Sequence, residues 1–235
     1  MPVIHTHVSV STTPGQREAL KAAYGKAITA VPGKSEGWLM CPFEDNMPIY
    51  FGGDDSKPAA YVEVNVFGRS VPGSAWEKLT EQIMAALQEK KVRVTVDATG
   101  DLLLNVLKYR PFLIKPNQHE LGELFGRTLK TGDDIRACAA KLQDKGARNV
   151  LVSLAGDGAI LLDETGQFQE IGVPRGTVRN AVGAGDSMVA GFLAGYLKLG
   201  TYSYALRMGA AAGSATAFSD ELATKEEILK LLNTF

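Results

Sequence analysis

The residues with the clearest chemical potential form the stretch Asn-Ala-Val-Gly-Ala-Gly-Asp-Ser at 180–187, directly before an apolar run at 188–199. Small residues at 183–185 let backbone N–H groups approach an anion, and a helix that begins there turns the positive end of its dipole toward it. Asp186 would then lie in the first helical turn, where a carboxylate can take the proton of an incoming hydroxyl. The stretch predicts an anion site with a general base, although a glycine-rich helix start alone is a weak signal.

Two further polar segments follow apolar runs that predict buried strands. The first segment holds Lys115, Asn117 and Glu120, and the second holds Ser153 and Gly158. At the carboxyl ends of parallel strands a lysine can neutralise phosphate oxygens, and an amide with a carboxylate can hold Mg²⁺ through its waters. Each segment also has a plain structural interpretation, because Asn117 can cap a helix and Gly158 can end a hairpin turn. We favour ligand binding because all three segments occur in one chain.

The pattern of apolar residues predicts an α/β fold with two textures. Up to residue 89 the predicted order is β-α-β-β-α, with strands at 3–10, 37–43 and 61–67, helices at 12–30 and 74–90, and a turn at 51–55. From there on, helices alternate with short apolar strands, which predicts a parallel sheet covered on both faces. Its strands are expected at 92–97, 112–115, 149–154, 159–162 and 168–173. We therefore expect two domains, 1–89 and 90–235, and hypothesise that strand 92–97 joins both in one sheet.

Composition excludes several classes of partner. The 25 basic and 26 acidic residues leave a net charge of −1, which predicts neither nucleic-acid nor membrane-surface binding. The two cysteines, Cys41 and Cys138, have no metal-ligand spacing and suit reduced thiols. The sequence shows no signal-peptide pattern and no apolar run long enough to span a bilayer, so we expect a cytoplasmic protein.

Residues of about 90–235 resemble the C-terminal half of the ribokinase-like, PfkB-type sugar kinases, and among them the 1-phosphofructokinases. The resemblance rests on Val-Asp-Ala-Thr-Gly at 96–100, Phe-Leu-Ile-Lys-Pro-Asn at 112–117, Ser-Leu-Ala-Gly-Asp-Gly at 153–158, Val-Gly-Ala-Gly-Asp-Ser at 182–187, and the Ala/Gly-rich stretch 211–218. It implies a ribokinase-like parallel sheet with helices on both faces. Ala155 stands where many relatives have glycine.

The resemblance also implies roles for individual residues. Asp186 would be the general base on a sugar hydroxyl, and the amides at 183–185 would stabilise the transferring phosphoryl group. The residues implied to bind the nucleotide are Lys115, Ser153, Gly158, Gly183, Ala184, Gly185 and Ser187. Asn117 and Glu120 would organise Mg²⁺, so ATP and Mg²⁺ are the implied cofactors and a phosphosugar is the implied acceptor. We find no match to the sugar-binding half of this family before residue 90.

The first segment offers a different base. Removal of Met1 would expose Pro2 as a secondary amine, whose pKa, about 8 for an α-amino group, falls on burial or beside a cation. Residues 1–88 resemble the macrophage migration inhibitory factor family of tautomerases, at Met-Pro-Val-Ile (1–4), Pro-Gly-Lys (32–34), Met-Pro-Ile-Tyr-Phe-Gly-Gly (47–53) and 60–68. The resemblance implies that Pro2 is the catalytic base, that Lys34 binds an acidic keto substrate, and that subunits form a trimer. The segment lacks that family's C-terminal strand.

Several alternatives stay open at this point. We favour the sugar kinase over a keto–enol tautomerase because its motifs are more numerous, and a nucleotide-binding or inactive fusion of two partial enzymes is the third candidate. Uncovered strand edges would favour a homo-oligomer. His5 and His7 share one face of the first predicted strand, where a partly exposed sheet face is a simpler interpretation than a metal pair.

Overall fold

The computed structural model describes residues 1–49, 58, 60–66, 72–89 and 93–235, with backbone only at 86–89. The turn predicted at 51–55 lies outside the described residues. Contacts between residues divide the chain into two compact units. Among the described residues, the first unit ends at 89 and the second begins at Arg93. Of the strand predicted at 92–97, the structure describes residues 93–97.

The first unit is a three-stranded sheet with two helices. Its elements are β1 (Pro2–Val8), α1 (Pro14–Ile28), β2 (Phe43–Glu44), β3 (Ala60–Val66) and α2 (Gly73–Glu89). The strand order is β2-β1-β3, with β1 parallel to β2 and antiparallel to β3. Buried apolar side chains of the two helices, such as Ile28 and Leu79, pack with Val64 and Val66 of β3 in one core. The predicted order β-α-β-β-α is confirmed.

The prediction of a strand at 37–43 is largely wrong. Glu36–Trp38 forms a 3₁₀ helix, in which the amides of Trp38 and Leu39 bond locally to Ser35 and Glu36. Only Phe43–Glu44 pairs with β1 as a strand, preceded by an isolated bridge at Met40. Pro42 has no N–H to donate, so a continuous ladder through this segment would lack one of its hydrogen bonds.

The second unit is a five-stranded sheet with six helices among the described residues. Its strands are β4 (Thr95–Val96), β5 (Leu113–Ile114), β6 (Asn149–Ser153), β7 (Ala159–Leu162) and β8 (Phe168–Ile171). Its helices are α3 (Gly100–Val106), α4 (Gln118–Leu124), α5 (Gly132–Asp144), α6 (Ala184–Leu199), α7 (Tyr202–Ala217) and α8 (Lys225–Leu232). Each of the five strands predicted in this half is present, β7 with the predicted bounds and the other four shorter than expected, and helices lie between them as the alternating pattern predicts.

The direction of one strand, β7, differs from the prediction. The sheet order is β4-β5-β6-β7-β8, in which β4, β5 and β6 are parallel, β7 is antiparallel to both of its neighbours, and β8 therefore runs in the same direction as β6. The three-residue 3₁₀ turn Ala155–Asp157 is too short for the crossover that a parallel β7 would need. Since β4 pairs with β5 and the first sheet holds only β1, β2 and β3 of the described residues, the hypothesis of one continuous sheet is wrong.

Helix α6 is held against α7 by very close backbone contact. A Cβ placed on Gly191 would stand 2.6 Å from the carbonyl oxygen of Met208, and one on Gly209 would stand 2.9 Å from that of Met188. Phe192, fully buried between the helices and the sheet, contributes about 2–3 kcal/mol through the apolar surface that it removes from water. The helix that begins with the 183–187 stretch is thus fixed in place by its neighbour.

The first prediction concerns Ala155, which has φ of 50° in the turn between β6 and β7. A side chain in this left-handed region costs about 1–2 kcal/mol, a cost that glycine does not carry. We expect Ala155→Gly to raise the free energy of opening of β6 and β7 by about 1 kcal/mol, measured by native-state amide hydrogen exchange. The matched control is Ala137→Gly on the exposed face of α5, which should lower stability by about 1 kcal/mol. A loss of stability at both positions would contradict the prediction.

Candidate active site

Three polar side chains follow the carboxyl ends of adjacent parallel strands in the second unit. Asp97 comes after β4, Lys115 directly after β5, and Ser153 ends β6. Because the strands are parallel neighbours, these ends lie at one edge of the sheet, the edge where open α/β sheets bind ligands. Lys115 Nζ is 3.7 Å from Asp97 Oδ2, and the lysine is only 8% exposed. A buried cation is therefore available at the edge predicted from sequence.

The N-terminus of α6 presents backbone donors. Gly183 caps the helix with φ of 78°, a left-handed conformation that favours glycine. The Ala184 amide donates to the Ala181 carbonyl at 3.2 Å, and the Ser187 amide donates to the Gly183 carbonyl at 2.9 Å. Within the described part of the chain, the amides of Gly185 and Asp186 have no acceptor. These two donors and the positive end of the helix dipole form an anion site.

Side chains around this helix start hold its backbone in place. Asn180 Oδ1 accepts from the Val182 amide at 3.0 Å, and Asn180 Nδ2 donates to the Asp220 carbonyl at 3.2 Å. The Thr216 hydroxyl donates to Ser187 Oγ at 2.8 Å and accepts from the Ala223 amide. Ser187, predicted from the resemblance as a nucleotide contact, is thus bonded to α7 through a buried threonine. This arrangement pre-forms the donors before any ligand arrives.

Lys115 connects the sheet edge to the helix start. A Cβ placed on Gly185 would stand 3.3 Å from Lys115 Nζ, so the bare backbone of this glycine lies beside the ammonium group. Burial raises the pKa of Asp97, Lys115 opposes the rise, and the charges of Asp186 and Glu120 add to it. One cation and three carboxylates therefore act on each other within one site. Asp186 itself is exposed in the first turn of α6.

Asp97 is a site residue that the sequence reasoning missed, although it lies inside one of the motifs of the family resemblance. The available signal was its position directly after a predicted strand, equivalent to that of Lys115 on the next strand.

Asn117 and Glu120 form a reciprocal helix cap. Asn117 Oδ1 accepts from the Glu120 amide at 2.9 Å, and the Asn117 amide donates to Glu120 Oε2 at 2.8 Å. The structural interpretation from sequence is confirmed for both residues. The second carboxylate oxygen, Glu120 Oε1, has no hydrogen-bond donor among the described residues and belongs to a half-buried side chain. Oxygen donors of this kind fit Mg²⁺, held directly or through water, so capping and metal binding are compatible here.

Ser153 and Gly158 lie at the two ends of the β6–β7 turn. Asn117 forms a parallel bridge with Ser153, whose amide donates to the Pro116 carbonyl at 3.2 Å. Gly158 has φ of 97°, and a Cβ there would stand 1.9 Å from the Ile171 carbonyl oxygen on β8. The hairpin interpretation of this turn is confirmed. The structure brings Ser153 next to Asn117. Position 158 requires a glycine because β8 leaves no room for a Cβ there.

The candidate residues of the first unit lie at the start of β1 and in the turn after α1. Pro2 is buried and pairs with Val66, and in this chain its nitrogen is bonded to the exposed Met1. The Lys34 amide donates to the Val31 carbonyl at 3.1 Å in the turn after α1. The chain then returns to Pro2, whose carbonyl accepts from the Met40 amide at 3.1 Å. The structure thus places Pro2 next to Met40, which follows Lys34 by six residues, and Pro2 has no free amine while Met1 is present.

The part of the chain that forms this edge matches a known family of enzymes. The model of the pfkB family of carbohydrate kinases matches residues 49–228, and the chain belongs to that family. The match begins at residue 49, so the resemblance to this family is not limited to the part of the chain from residue 90 onward. It also includes part of the segment that we compared with tautomerases.

Individual relatives support the same assignment. The 1-phosphofructokinase of Bacillus subtilis is 44% identical over 171 residues, which cover 72% of this chain and 56% of the relative. The structure of phosphofructokinase-2 from Escherichia coli in complex with substrates and products matches with a TM-score of 0.63 and 34% identity, over 70% of this chain and 54% of that one. The chain thus spans about half the length of the relatives that it matches in these two comparisons.

A third match concerns the fold alone. A putative phosphofructokinase from Staphylococcus aureus aligns with 99% of this chain and 94% of its own, at a TM-score of 0.63 and 24% identity. The alignment includes the first unit as well as the second, so the likeness in fold is not confined to the second unit. Among the helices that the structure describes, none combines the length and hydropathy that a membrane span requires.

The second prediction tests the charge balance around Lys115. Lys115→Met removes the cation that opposes the burial of Asp97, so the pKa of Asp97 should rise further. A raised folded-state pKa means that the neutral carboxyl stabilises the fold below the unfolded pKa of about 4, and that this stabilisation is lost as pH rises through the folded pKa. The variant should therefore be destabilised more at pH 7 than near pH 4, measured by urea unfolding with an NMR titration of the Asp97 carboxyl carbon.

The control for this experiment is Lys145→Met, at an exposed lysine just after α5. It should leave both the Asp97 titration and the pH dependence of unfolding as they are in the parent chain. An Asp97 pKa that stays the same in Lys115→Met would show that the two charges do not interact.

Proposed function

We propose that the second unit binds ATP and that the protein transfers its terminal phosphoryl group to a hydroxyl of a phosphosugar, in the manner of a 1-phosphofructokinase. The observation that carries this proposal is that the backbone amides of Gly185 and Asp186 have no acceptor among the described residues, and that Gly185 lies beside the buried ammonium of Lys115. Three fixed donors converge there without a protein acceptor other than Asp97. A polyphosphate is the ligand whose oxygens suit that set.

In this proposal Asp186 acts as the general base. Its exposed carboxylate takes the proton of the sugar hydroxyl, the hydroxyl oxygen bonds to the terminal phosphorus, and the bond from that phosphorus to the bridging oxygen of ADP breaks. The amides of Gly185 and Asp186, with Lys115, stabilise the charge on the transferred group. Their positions are set by α7 and by Asn180, so little reorganisation is needed during the reaction.

The remaining assignments follow from the family resemblance and the fit of the donors. Ser153 and Gly158 would contact the nucleotide from the β6–β7 turn, and Ser187 would stay part of the support behind the helix start. Glu120, oriented by its capping contact with Asn117, would hold Mg²⁺. When bound, the metal ion would neutralise phosphate charge next to the carboxylates that surround Lys115.

The third prediction separates phosphoryl transfer from nucleotide binding. Asp186→Asn should lower phosphorylation of fructose 1-phosphate by about 10²–10⁴-fold, because the amide cannot accept the proton. Its affinity for ATP with Mg²⁺ should stay within a few-fold of the parent, because the backbone donors are unchanged. Turnover is measured by coupled release of ADP and binding by calorimetry.

The matched control is Asp144→Asn, at an exposed aspartate at the end of α5 and outside the site. Turnover that survives Asp186→Asn would eliminate Asp186 as the base. ATP binding without phosphorylation in the parent chain would favour the nucleotide-binding alternative, and no ATP binding would overturn the proposal as a whole.

A second candidate activity, keto–enol tautomerisation, belongs to the first unit. The observation in its favour is the placement of Pro2, buried at the start of β1 and adjacent to the chain that follows Lys34. After removal of Met1 its secondary amine would carry a lowered pKa, since burial disfavours the charged form. Because the kinase family already accounts for the chain from residue 49 onward, this candidate rests on residues 1–48.

The fourth prediction tests this candidate with protein shown by mass spectrometry to begin at Pro2. Ultraviolet absorbance would follow enol–keto conversion of an arylpyruvate, which should fall to the background rate in Pro2→Gly. Pro14→Gly, at the first turn of α1, is the control and should retain the activity. No conversion by the correctly processed chain would eliminate the candidate without bearing on the kinase proposal.

A further inference from the structure

A cluster of two histidines and a glutamate occupies one face of the sheet in the first unit. His5 Nε2 is 3.1 Å from Glu44 Oε1, and His7 Nδ1 is 3.2 Å from Glu44 Oε2. One potential ligand atom of each residue lies within 4.8 Å of the others. We propose that His5, His7 and Glu44 form a binding site for a divalent transition-metal ion, of which Zn²⁺ is the representative.

The fold brings these three residues together for simple reasons. His5 and His7 are two positions apart on β1, so both side chains leave the same face of the sheet, while Ile4 and Thr6 face the other way and are buried. In the parallel pair of β1 and β2, His7 is opposite Glu44. The two-residue strand β2 therefore places one carboxylate between two imidazoles.

The separations within the cluster suit a metal ion. With bonds of about 2.0–2.1 Å, the ligand atoms of a tetrahedral zinc site are about 3.3 Å apart. Both distances from Glu44 to the histidines are within a few tenths of an ångström of that value. All three ligand atoms lie within 4.8 Å of one another, and the side chains of His5 and Glu44 are 23% and 51% exposed, so they are less confined by packing than that of His7.

A second observation points to a ligand that the fold itself does not supply. His7 is only 6% exposed, and its Nε2 atom is buried without a hydrogen-bond partner among the described residues. His5 Nε2 is also buried, and its 3.1 Å contact with Glu44 Oε1 is not aligned as a hydrogen bond. The two rings lie with centroids 3.8 Å apart, and Tyr61 stacks on His7 at 4.2 Å. Buried imidazole nitrogens that lack partners are commonly satisfied by a metal or by water.

The chemistry of the donors selects the class of metal. Imidazole nitrogens suit zinc, copper and nickel, whereas Mg²⁺ and Ca²⁺ prefer sites made wholly of oxygen. Two histidines and one carboxylate give three protein ligands, which leaves a fourth position for water or a substrate, as in catalytic zinc sites. Met47 Sδ, 3.2 Å from His7 Nδ1, lies beside this set as a soft neighbour.

The alternative is a purely structural cluster. Two neutral histidines that share Glu44 as an acceptor would explain the short distances without any metal. That cluster would bind Zn²⁺ no more tightly than an exposed histidine next to a glutamate. The chain offers such a pair on α4, where His119 Nδ1 is 3.4 Å from Glu123 Oε1 on an exposed helix face.

The test uses the full chain without a polyhistidine tag, treated with a chelator and titrated with Zn²⁺ in a calorimeter. We expect one tight site, with His5→Asn and Glu44→Gln each weakening Zn²⁺ binding by at least about tenfold. His119→Asn is the matched control and should leave the affinity unchanged. Since His5 and Glu44 are partly exposed, both variants should fold, which circular dichroism would check.

A second readout reports on the ligands themselves. Co²⁺ in place of Zn²⁺ should give the strong visible absorption of a four-coordinate site with nitrogen donors, and this should disappear in His5→Asn. Zn²⁺ binding that is unchanged in His5→Asn and Glu44→Gln, or that is lost in His119→Asn, would overturn the proposal. An absence of binding in the parent chain would do the same, whatever the outcome for ATP.

Discussion

A buried ammonium group, that of Lys115, sets the conditions for the other groups at the sheet edge of the second unit. A charge removed from water is costly unless nearby groups compensate it. Asp97 supplies that compensation at 3.7 Å, and Asp186 and Glu120 bring two more negative charges into the same field. Three carboxylates therefore act on one ammonium, which leaves the described edge with excess negative charge. A phosphate would meet repulsion there unless a cation accompanied it, so the charge balance itself favours a nucleotide bound with a divalent ion.

Much of this edge could be predicted from sequence because its signals are local. The Gly-Ala-Gly-Asp stretch, the Lys-Pro-Asn segment and the cap between Asn117 and Glu120 each depend on residues a few positions apart. The features that were missed depend on distant ones. The role of Asp97 follows from the pairing of β4 with β5, and the antiparallel β7 follows from a turn that is too short for a crossover. In the first unit, Glu44 joins the histidines only because β2 pairs with β1.

The two units carry donors of different character. At the second unit's sheet edge, amide hydrogens, one ammonium and carboxylate oxygens suit phosphate with a hard cation. On the first unit's sheet face, imidazole nitrogens suit a softer ion. One chain can hold both kinds of site, because the ligand atoms alone determine which metal ion each site prefers. The family match from residue 49 places most of the chain within one kinase family, so the histidine cluster lies in the part of the chain that the family model does not reach.

The seam between α6 and α7 has a consequence for how this sequence can change over time. Four glycines along it, Gly191, Gly195, Gly209 and Gly213, each have an atom of the facing helix within 3.1 Å of the place where a Cβ would stand. Substitution at any of them would push the helices apart and displace the start of α6. Selection for a stable fold should therefore preserve these four positions independently of any selection for activity. The four glycines would then identify relatives of this chain even where the residues of the sheet edge have changed.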